Sequence, residues 1–236
     1  MTERRSQSAH PPTWRQGNGL RAFDQRELPE SPRPIHRGRT FVYVLPCLDE
    51  DLIKVGFTHD PVQRFRSFNP RFFALFDLEQ GMLVETGRLR DARRLERLLI
   101  ERWPEHRAPA PLLVADTAGG QTEWFRGIAG DIDGFVRRIV ERYGYTLHAP
   151  LSVWLHSRFA ERADQLYEWS SRMLEMMTWQ EANLPPESRD PRYANTLRDT
   201  LDACRAVGMD LDELLPSSVI AWHTAISGDS ATRLFM

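Results

Sequence analysis

The stretch Thr40-Phe41-Val42-Tyr43-Val44-Leu45, followed at residues 52–57 by Leu-Ile-Lys-Val-Gly-Phe, decides the fold of this chain. Both runs are rich in β-branched and aromatic residues, and the turn between them carries a proline and three consecutive acids. This pattern predicts two adjacent strands joined as a hairpin. Side chains on neighbouring strands come within about 5 Å when they share a face. We therefore expect Tyr43 and Lys54 to lie together if they point to the same side.

Lys54 is the only lysine among the 31 basic residues of the chain, and all the others are arginine. A guanidinium group stays protonated at any working pH, whereas a partly buried lysine shifts its pKa and exchanges a proton. The ordinary interpretation is a single lysine that survives by chance on a strand edge. The residues around Lys54 favour a role that arginine cannot fill.

Further elements follow the hairpin. Asp60-Pro61 predicts the start of a short helix that ends at Phe68, with an N-cap aspartate and a proline at the first helical position. Residues 72–85 are expected to form another extended segment. Apolar spacing predicts helices over residues 87–103 and 128–143. This order of strands and helices indicates a small α/β (α+β) unit.

The remaining sequence changes character. Residues 151–184 are expected to form one long helix, residues 192–207 another, and no strand pattern appears there. Three parts are therefore predicted: a flexible basic arm over residues 1–38, an α/β domain over 39–148, and an all-helical interaction domain over 149–236. Acids outnumber basic residues in the helical part, which makes it a poor binding surface for a polyanion.

Composition restricts the class of protein. The net charge of −2 and the 27% of charged residues are ordinary for a globular protein. The chain contains no apolar run near the ~20 residues that a membrane-spanning helix needs. Its two cysteines, Cys47 and Cys204, are far apart and predict reduced thiols rather than a disulfide framework or a zinc site. We expect a cytoplasmic protein without a membrane partner.

Four positions form a spaced set: Tyr43, Lys54 with Gly56, Arg64 and Glu96. The segments that carry it are 41–45 (Phe-Val-Tyr-Val-Leu), 53–58 (Ile-Lys-Val-Gly-Phe-Thr), 60–64 (Asp-Pro-Val-Gln-Arg), 92–99 (Ala-Arg-Arg-Leu-Glu-Arg-Leu-Leu) and 123–125 (Glu-Trp-Phe). In this order and spacing they resemble the GIY-YIG nuclease superfamily, and most of all its T5 orf172 and Mug113-type branch. The resemblance covers roughly residues 39–143. Phe41 stands in place of the first glycine of the family name, and Lys54 in place of the second tyrosine.

The resemblance implies a nuclease in which Tyr43 activates the nucleophile, Arg64 binds the phosphate and Glu96 is the single metal ligand. The chemistry of the residues agrees. Tyr43 becomes a phenolate only if a cation such as Lys54 lowers its pKa from about 10. The planar fork of Arg64 suits a phosphate, and one carboxylate with several waters is how Mg²⁺ is usually held beside a phosphate.

We therefore expect a metal-dependent nuclease that hydrolyses phosphodiester bonds of nucleic acid, DNA in preference to RNA, with Mg²⁺ or Mn²⁺. The context would be phage defence, a mobile element or a toxin. Substrate contacts are expected at Arg66, Arg71 and Arg93, and Gly56 would let the substrate approach the backbone.

Other interpretations stay open. Taken alone, Tyr43 could be a core residue of its strand, and Glu96 could be a solvated charge on its helix. Glu123 is interpreted as a helix-entry or packing residue. The alternative function is a non-catalytic nucleic-acid-binding or adaptor module with the same fold. The C-terminal helices are expected to bind a second copy or another protein.

Overall fold

The computed structural model describes residues 38–233, apart from the side chains of Asp116 and of residues 228–233. Its described part contains a five-stranded antiparallel sheet with the order β4-β2-β1-β3-β5. The strands are β1 (Thr40–Pro46), β2 (Leu52–Thr58), β3 (Met82–Thr86), β4 (Trp124–Arg126) and β5 (Thr146–His148). Helices follow the sheet, so the predicted α+β class is confirmed. The arm predicted over residues 1–38 lies outside the described residues, except for Gly38.

Nine α-helices are described in residues 38–233. They are α1 (Pro61–Phe68), α2 (Phe72–Leu75), α3 (Leu89–Arg102), α4 (Ala129–Tyr143), α5 (Leu151–Ala160), α6 (Ala163–Asn183), α7 (Arg192–Ala206), α8 (Leu211–Leu214) and α9 (Ser217–Arg233). The Asp60 side chain accepts a hydrogen bond from Gln63 N at 3.0 Å and so caps α1, as the sequence predicts. Gly144 closes α4 in the left-handed conformation, with φ of 68°.

Two predicted elements are wrong. The extended segment expected over 72–85 begins as helix α2, because Phe72 and Leu75 turn into the core within one helical turn, and only Met82–Thr86 is a strand. The long helix expected over 151–184 is interrupted at Glu161 and Arg162. The two pieces pack differently: the first buries its residues against the sheet, and the second buries Met173 and Met177 among helices.

The sheet has an apolar core on each face. Val42, Val44 and Val55 point to one face and pack with residues of α3 and α4. Phe41 and Tyr43 point to the other face, in a cluster that also includes side chains of α1, α2 and the C-terminal helices. Strand alternation produces this division, because successive side chains point to opposite faces.

The second of these cores extends through the predicted boundary at residue 148. Leu151, Trp154 and Leu155 of α5 belong to the same buried cluster as Phe41 of β1. Residues from 38 onward form one compact unit. The division at 148/149 stays a prediction, but the hydrophobic core does not stop there. None of the helices described is both long and apolar enough to cross a membrane.

Candidate functional site

Tyr43 and Lys54 lie on the same face of the sheet. In the antiparallel register of β1 and β2, Tyr43 is opposite Gly56 and Leu45 is opposite Lys54, so both side chains point to the same side. Gly56 leaves room for the Tyr43 ring: a Cβ at this position would lie 2.5 Å from Tyr43 Cζ. Gly56 therefore has a packing role in the site, while its predicted contact with substrate stays a prediction.

Arg64 joins Tyr43 from α1. Its Nε donates a hydrogen bond to Tyr43 Oη at 3.2 Å, and its guanidinium carbon lies 4.3 Å from the centroid of the Phe68 ring. Arg64 Nη1 donates to the backbone carbonyl of Ala118. The guanidinium is thus held between a phenol, an aromatic face and a loop carbonyl. If a phosphate replaced the carbonyl, it would meet a guanidinium group that is already oriented to donate hydrogen bonds.

Lys54 is completely buried, which is rare for a lysine. Its ammonium donates to the Gly120 carbonyl and to Glu123 Oε2, the latter at 2.8 Å. The nitrogen also lies 5.5 Å from the ring centroid of Trp124 and 5.8 Å from that of Phe68. Burial lowers the pKa of Lys54 below its usual 10.5, and the hydrogen bond and charge of Glu123 act in the opposite direction. The compact ammonium fills a small aromatic pocket, which is one reason for a lysine here in an arginine-rich chain.

Glu123 is the site residue that the sequence did not identify. It directly precedes β4 and is not at a helix entry, so the helix-entry interpretation is wrong, while its contact with Lys54 agrees with a packing role. Burial raises the pKa of Glu123, but the hydrogen bond and charge of Lys54 outweigh burial and hold it below 4.5. The two partners are 69 positions apart in the sequence, and no local pattern relates them.

Glu96 belongs to the same electrostatic cluster, from α3. Its pKa is raised above 4.5, first by burial and then by the charge of Glu123, while Lys54, Arg64 and Arg93 lower it. In residues 38–233 no side-chain hydrogen bond or ion pair engages its carboxylate. Glu96 is a half-buried carboxylate with unused oxygen lone pairs.

This environment fits a hard divalent cation. Among the described residues, no three His, Cys, Asp or Glu side chains form a metal-binding group. Mg²⁺, however, is usually held by one or two carboxylates and keeps several waters. A cation beside Glu96 would offset both the burial and the repulsion from Glu123. The oxygen donors present therefore fit Mg²⁺ or Mn²⁺.

The protonation of Tyr43 differs from expectation. Burial raises the pKa of its phenol to about 12, although the charge and the hydrogen bond of Arg64 act to lower it. The basic groups near Tyr43 do not compensate for the loss of water around the hydroxyl. In this arrangement Tyr43 is a neutral phenol at physiological pH, and not a phenolate.

A loop closes the site. The carbonyls of Ala118 and Gly120 accept hydrogen bonds from Arg64 and Lys54, the two cations of the cluster. Gly119 and Gly120 both have positive φ, 66° and 71°. A Cβ on Gly120 would lie 2.6 Å from Glu123 Oε2 and 2.8 Å from Lys54 Nζ, so only glycine allows this approach. These carbonyl oxygens thus accept the hydrogen bonds that Arg64 and Lys54 would otherwise donate to a phosphate.

The arginines predicted to bind substrate separate into two groups. Arg71 Nη1 contacts Asp199 and Asp202 of α7 at 2.7 and 2.8 Å, and Arg66 Nη2 donates to Thr200 Oγ1 at 3.3 Å. Both side chains therefore contact the C-terminal helices. Arg93 is different, because it is exposed on α3 and lies over the Phe57 ring at 5.9 Å. The predicted substrate roles stay predictions, and Arg71 has a structural role in addition.

Comparison with known protein families gave a match for part of this chain. Residues 40–140 match the family model of the T5orf172 domain, a range that starts with β1 and ends within α4. The match includes Tyr43, Lys54, Arg64, Glu96 and Glu123. Comparisons with curated proteins and with solved structures gave no match. The family is associated with nucleases, which indicates a role related to nucleic acid. The resemblance found in the sequence is confirmed as a match of residues 40–140 to the T5orf172 domain family.

Proposed function

We propose that this protein is a metal-dependent endonuclease that hydrolyses phosphodiester bonds of nucleic acid at the cluster of Tyr43, Lys54, Arg64, Glu96 and Glu123. One observation carries the proposal: a phenol, two cations and two carboxylates from five separate segments interact with one another through hydrogen bonds and charge. Structural cores seldom collect so many ionisable groups, because burying charge is unfavourable unless each charge is paired.

The residues divide the chemistry among them. In hydrolysis a water oxygen bonds to phosphorus, the bond to the leaving oxygen breaks, and that oxygen takes up a proton. Arg64 neutralises charge on the phosphoryl oxygens. Lys54, whose pKa burial lowers, is the group that exchanges a proton, and Glu123 holds its ammonium in place. The Tyr43 hydroxyl accepts from Arg64, so its own proton is available to a water or a phosphate oxygen.

Glu96, beside Glu123, would hold the metal ion. A bound Mg²⁺ or Mn²⁺ supplies charge stabilisation and lowers the pKa of its waters. The raised pKa of Glu96 supports this assignment, because a carboxylate without a partner in a half-buried site is poorly stabilised until a cation binds.

Substrate binding requires the loop at residues 118–120 to move. Arg64 and Lys54 both donate to its carbonyls, so a phosphate reaches them only after those hydrogen bonds break. Opening would also admit water to Tyr43 and reduce the burial that raises the pKa of its phenol.

Cleavage by matched variants tests the proposal. Purified protein is incubated with single-stranded and double-stranded DNA and with RNA, in Mg²⁺, Mn²⁺ or EDTA. We expect metal-dependent cutting that Glu96→Gln reduces at least 100-fold. Glu101→Gln, on the exposed side of the same helix, is the control and should cut like the wild type. Equal cutting by wild type and Glu96→Gln would show that the assignment is wrong.

The alternative is a non-catalytic module that binds nucleic acid or a protein partner. The closed loop favours this alternative, and so does Lys54, whose buried ammonium donates to Gly120 and Glu123. Both features are expected of a site that does not catalyse a reaction. Mn²⁺ titration separates the two. A nuclease should bind Mn²⁺ in the wild type and not in Glu96→Gln, whereas an adaptor should bind no metal at Glu96.

A further inference from the structure

An open pocket lies on the exposed side of α3, lined mainly by carbon atoms of four arginine side chains and one leucine. Its volume is about 400 Å³, and its walls are Leu89, Arg90, Arg93, Arg94 and Arg97. The opposite side of the helix, with Ala92, Leu95 and Leu99, packs into the core. The pocket is therefore fixed to the domain by a buried helix face.

The charges of this pocket are largely uncompensated. Asp91 lies 3.7 Å from Arg90 Nε, and Glu96 acts on Arg93 only through its charge. Within residues 38–233, no ion pair engages Arg94 or Arg97. Elsewhere in this part of the chain, arginines do pair with acids, as Arg137 does with Asp133 at 2.8 Å.

Clustering of this kind is unfavourable without a ligand. Arg90 and Arg94 are four residues apart, as are Arg93 and Arg97, and like charges at this spacing destabilise a helix. An anion in the pocket would relieve both pairs. Guanidinium groups match phosphate oxygens in geometry, and their planar forks bind them by paired hydrogen bonds.

The pocket is also next to the proposed site. Arg93 interacts electrostatically with Glu96, which contributes to the cluster around Lys54. From Arg90 to Arg97 the helix rises by about 10 Å, at 1.5 Å per residue. With phosphates of one strand about 3.4 Å apart along a duplex axis, this length spans about three such steps.

We propose that the arginine pocket binds the phosphate backbone of the nucleic acid on one side of the bond that is cut. The proposal rests on the proposed function for its substrate class. It assigns contact with the flanking phosphates to Arg90, Arg94 and Arg97, while Arg93, also in the pocket, interacts electrostatically with Glu96. Recognition of this kind is independent of base sequence and depends strongly on salt.

Equilibrium binding tests the pocket apart from cleavage. All proteins carry Glu96→Gln, and binding of fluorescently labelled single-stranded DNA, duplex DNA and RNA is measured by anisotropy over a range of KCl concentrations. The test variant is Arg90→Gln/Arg94→Gln/Arg97→Gln. The control is Arg142→Gln/Arg172→Gln/Arg205→Gln, which removes the same charge at exposed positions outside the pocket.

We expect the test variant to bind at least tenfold more weakly than the Glu96→Gln parent. On single-stranded DNA the slope of log K against log salt should decrease by about 0.7 for each phosphate that the variant no longer neutralises, and so by about 1.4–2.1 in total. The control variant should stay within about twofold of the parent. Arg94→Glu alone should weaken binding more than Arg94→Gln, because it adds repulsion.

The outcomes distinguish failure of the pocket proposal from failure of the nuclease proposal. If test and control variants bind all three nucleic acids equally, with equal salt slopes, the pocket is not a backbone site, whether or not the protein cuts. If binding depends on the pocket and the wild type does not cut in any metal, the pocket stands and the nuclease proposal falls. Circular dichroism and the melting temperature check that the exposed substitutions leave the fold intact.

Discussion

The pairing of Lys54 with Glu123 decides whether a charge can remain in the core of this domain. Lys54 is fully buried, while the Glu123 side chain is 25% exposed, so the pair lies at the edge between protein and water. Removal of one partner leaves the other without compensation, which is usually more harmful than removal of both. The pair is therefore a structural feature whatever its part in catalysis.

A double-mutant cycle checks this coupling. We expect Glu123→Gln to lower the free energy of unfolding by about 2–3 kcal/mol, because a buried ammonium loses its charged partner. Lys54→Met should also lower the free energy of unfolding. The loss in the double variant should be smaller than the sum of the two single losses by at least about 1 kcal/mol. The measurement is urea denaturation. Strict additivity of the two single effects would contradict a direct pair.

Stability should depend on Glu96 with a defined sign. The pKa of Glu96 is raised in the folded protein, so the protonated carboxyl contributes fully to stability at a pH below its unfolded pKa of about 4.5. This contribution is lost as the pH rises through the raised pKa. We therefore expect Glu96→Gln, which cannot ionise, to melt at a higher temperature than the wild type at pH 7.5. The difference should disappear near pH 4.

Added metal extends the same measurement. Mn²⁺ should raise the melting temperature of the wild type and not of Glu96→Gln, because only a ligand that binds the folded state stabilises it. A wild type less stable than Glu96→Gln without metal, and matched to it with metal, is the expected pattern. Destabilisation by Glu96→Gln at pH 7.5 would show that the carboxylate is well paired in the folded state.

At the scale of elements, the loop over the site is defined by two glycines with different surroundings. Both have positive φ, but a Cβ on Gly119 would meet no atom within 4 Å, whereas one on Gly120 would meet Glu123 and Lys54. The close approach of the loop thus depends on Gly120, while Gly119 is needed only for backbone conformation.

Paired alanine substitutions separate these effects. Gly119→Ala should destabilise by about 1–3 kcal/mol, which is the strain of a residue with a side chain at φ of 66° and ψ of 173°, a region that is essentially restricted to glycine. Gly120→Ala should show a larger loss, because its Cβ also displaces the loop from Lys54. Thermal unfolding gives the comparison. Equal losses would mean that the loop does not pack against the cations in solution.

Helix α3 carries different kinds of residue on its different sides. Apolar spacing buries Ala92, Leu95 and Leu99, and the hydrophobic pattern of the sequence predicted this face. Glu96 and the arginines occupy the other sides. The sequence predicted that these charges exist on a helix, but it could not say which of them face the site, because a charged residue at helical spacing is equally compatible with solvent.

On the scale of the whole molecule, the C-terminal helices complete the domain. Leu151, Trp154 and Leu155 share a core with β1, and Arg71 contacts two aspartates of α7. The Arg71 side chain is 40% exposed, so water screens this contact and it contributes about 1 kcal/mol at most. Burial of the apolar side chains stabilises the arrangement more than this ion pair does.

Truncation measures how much the C-terminal helices stabilise the sheet. We expect residues 38–148 alone to lose cooperative unfolding, because each fully buried large apolar side chain of the missing part contributes about 1.5–3 kcal/mol. Residues 38–236, which lack only the first 37 positions, are the control and should unfold like the full chain. The measurement is circular dichroism in urea. A cooperative, stable 38–148 fragment would support an independent domain that ends at residue 148.

Sequence alone determined what depends on local periodicity. Alternation along residues 40–45 and 52–57 predicted the hairpin, and helical spacing identified α3 with Glu96. The register that places Tyr43 and Lys54 on one face came from the structure. These patterns are short-range, since the pleat of a strand and the turn of a helix repeat within a few residues. For the same reason the resemblance to T5orf172 domains is visible in the short segments that carry these residues.

Tertiary structure alone decided the partners of those residues. The contact of Lys54 with Glu123, the loop carbonyls on Arg64 and Lys54, and the pairing of Arg71 with α7 join positions 54 to 131 residues apart. Such contacts depend on the path of the whole chain and on burial. Burial in turn reversed the expected pKa shift of Tyr43, because loss of water outweighs the charge and hydrogen bond of Arg64 once the phenol lies in the core.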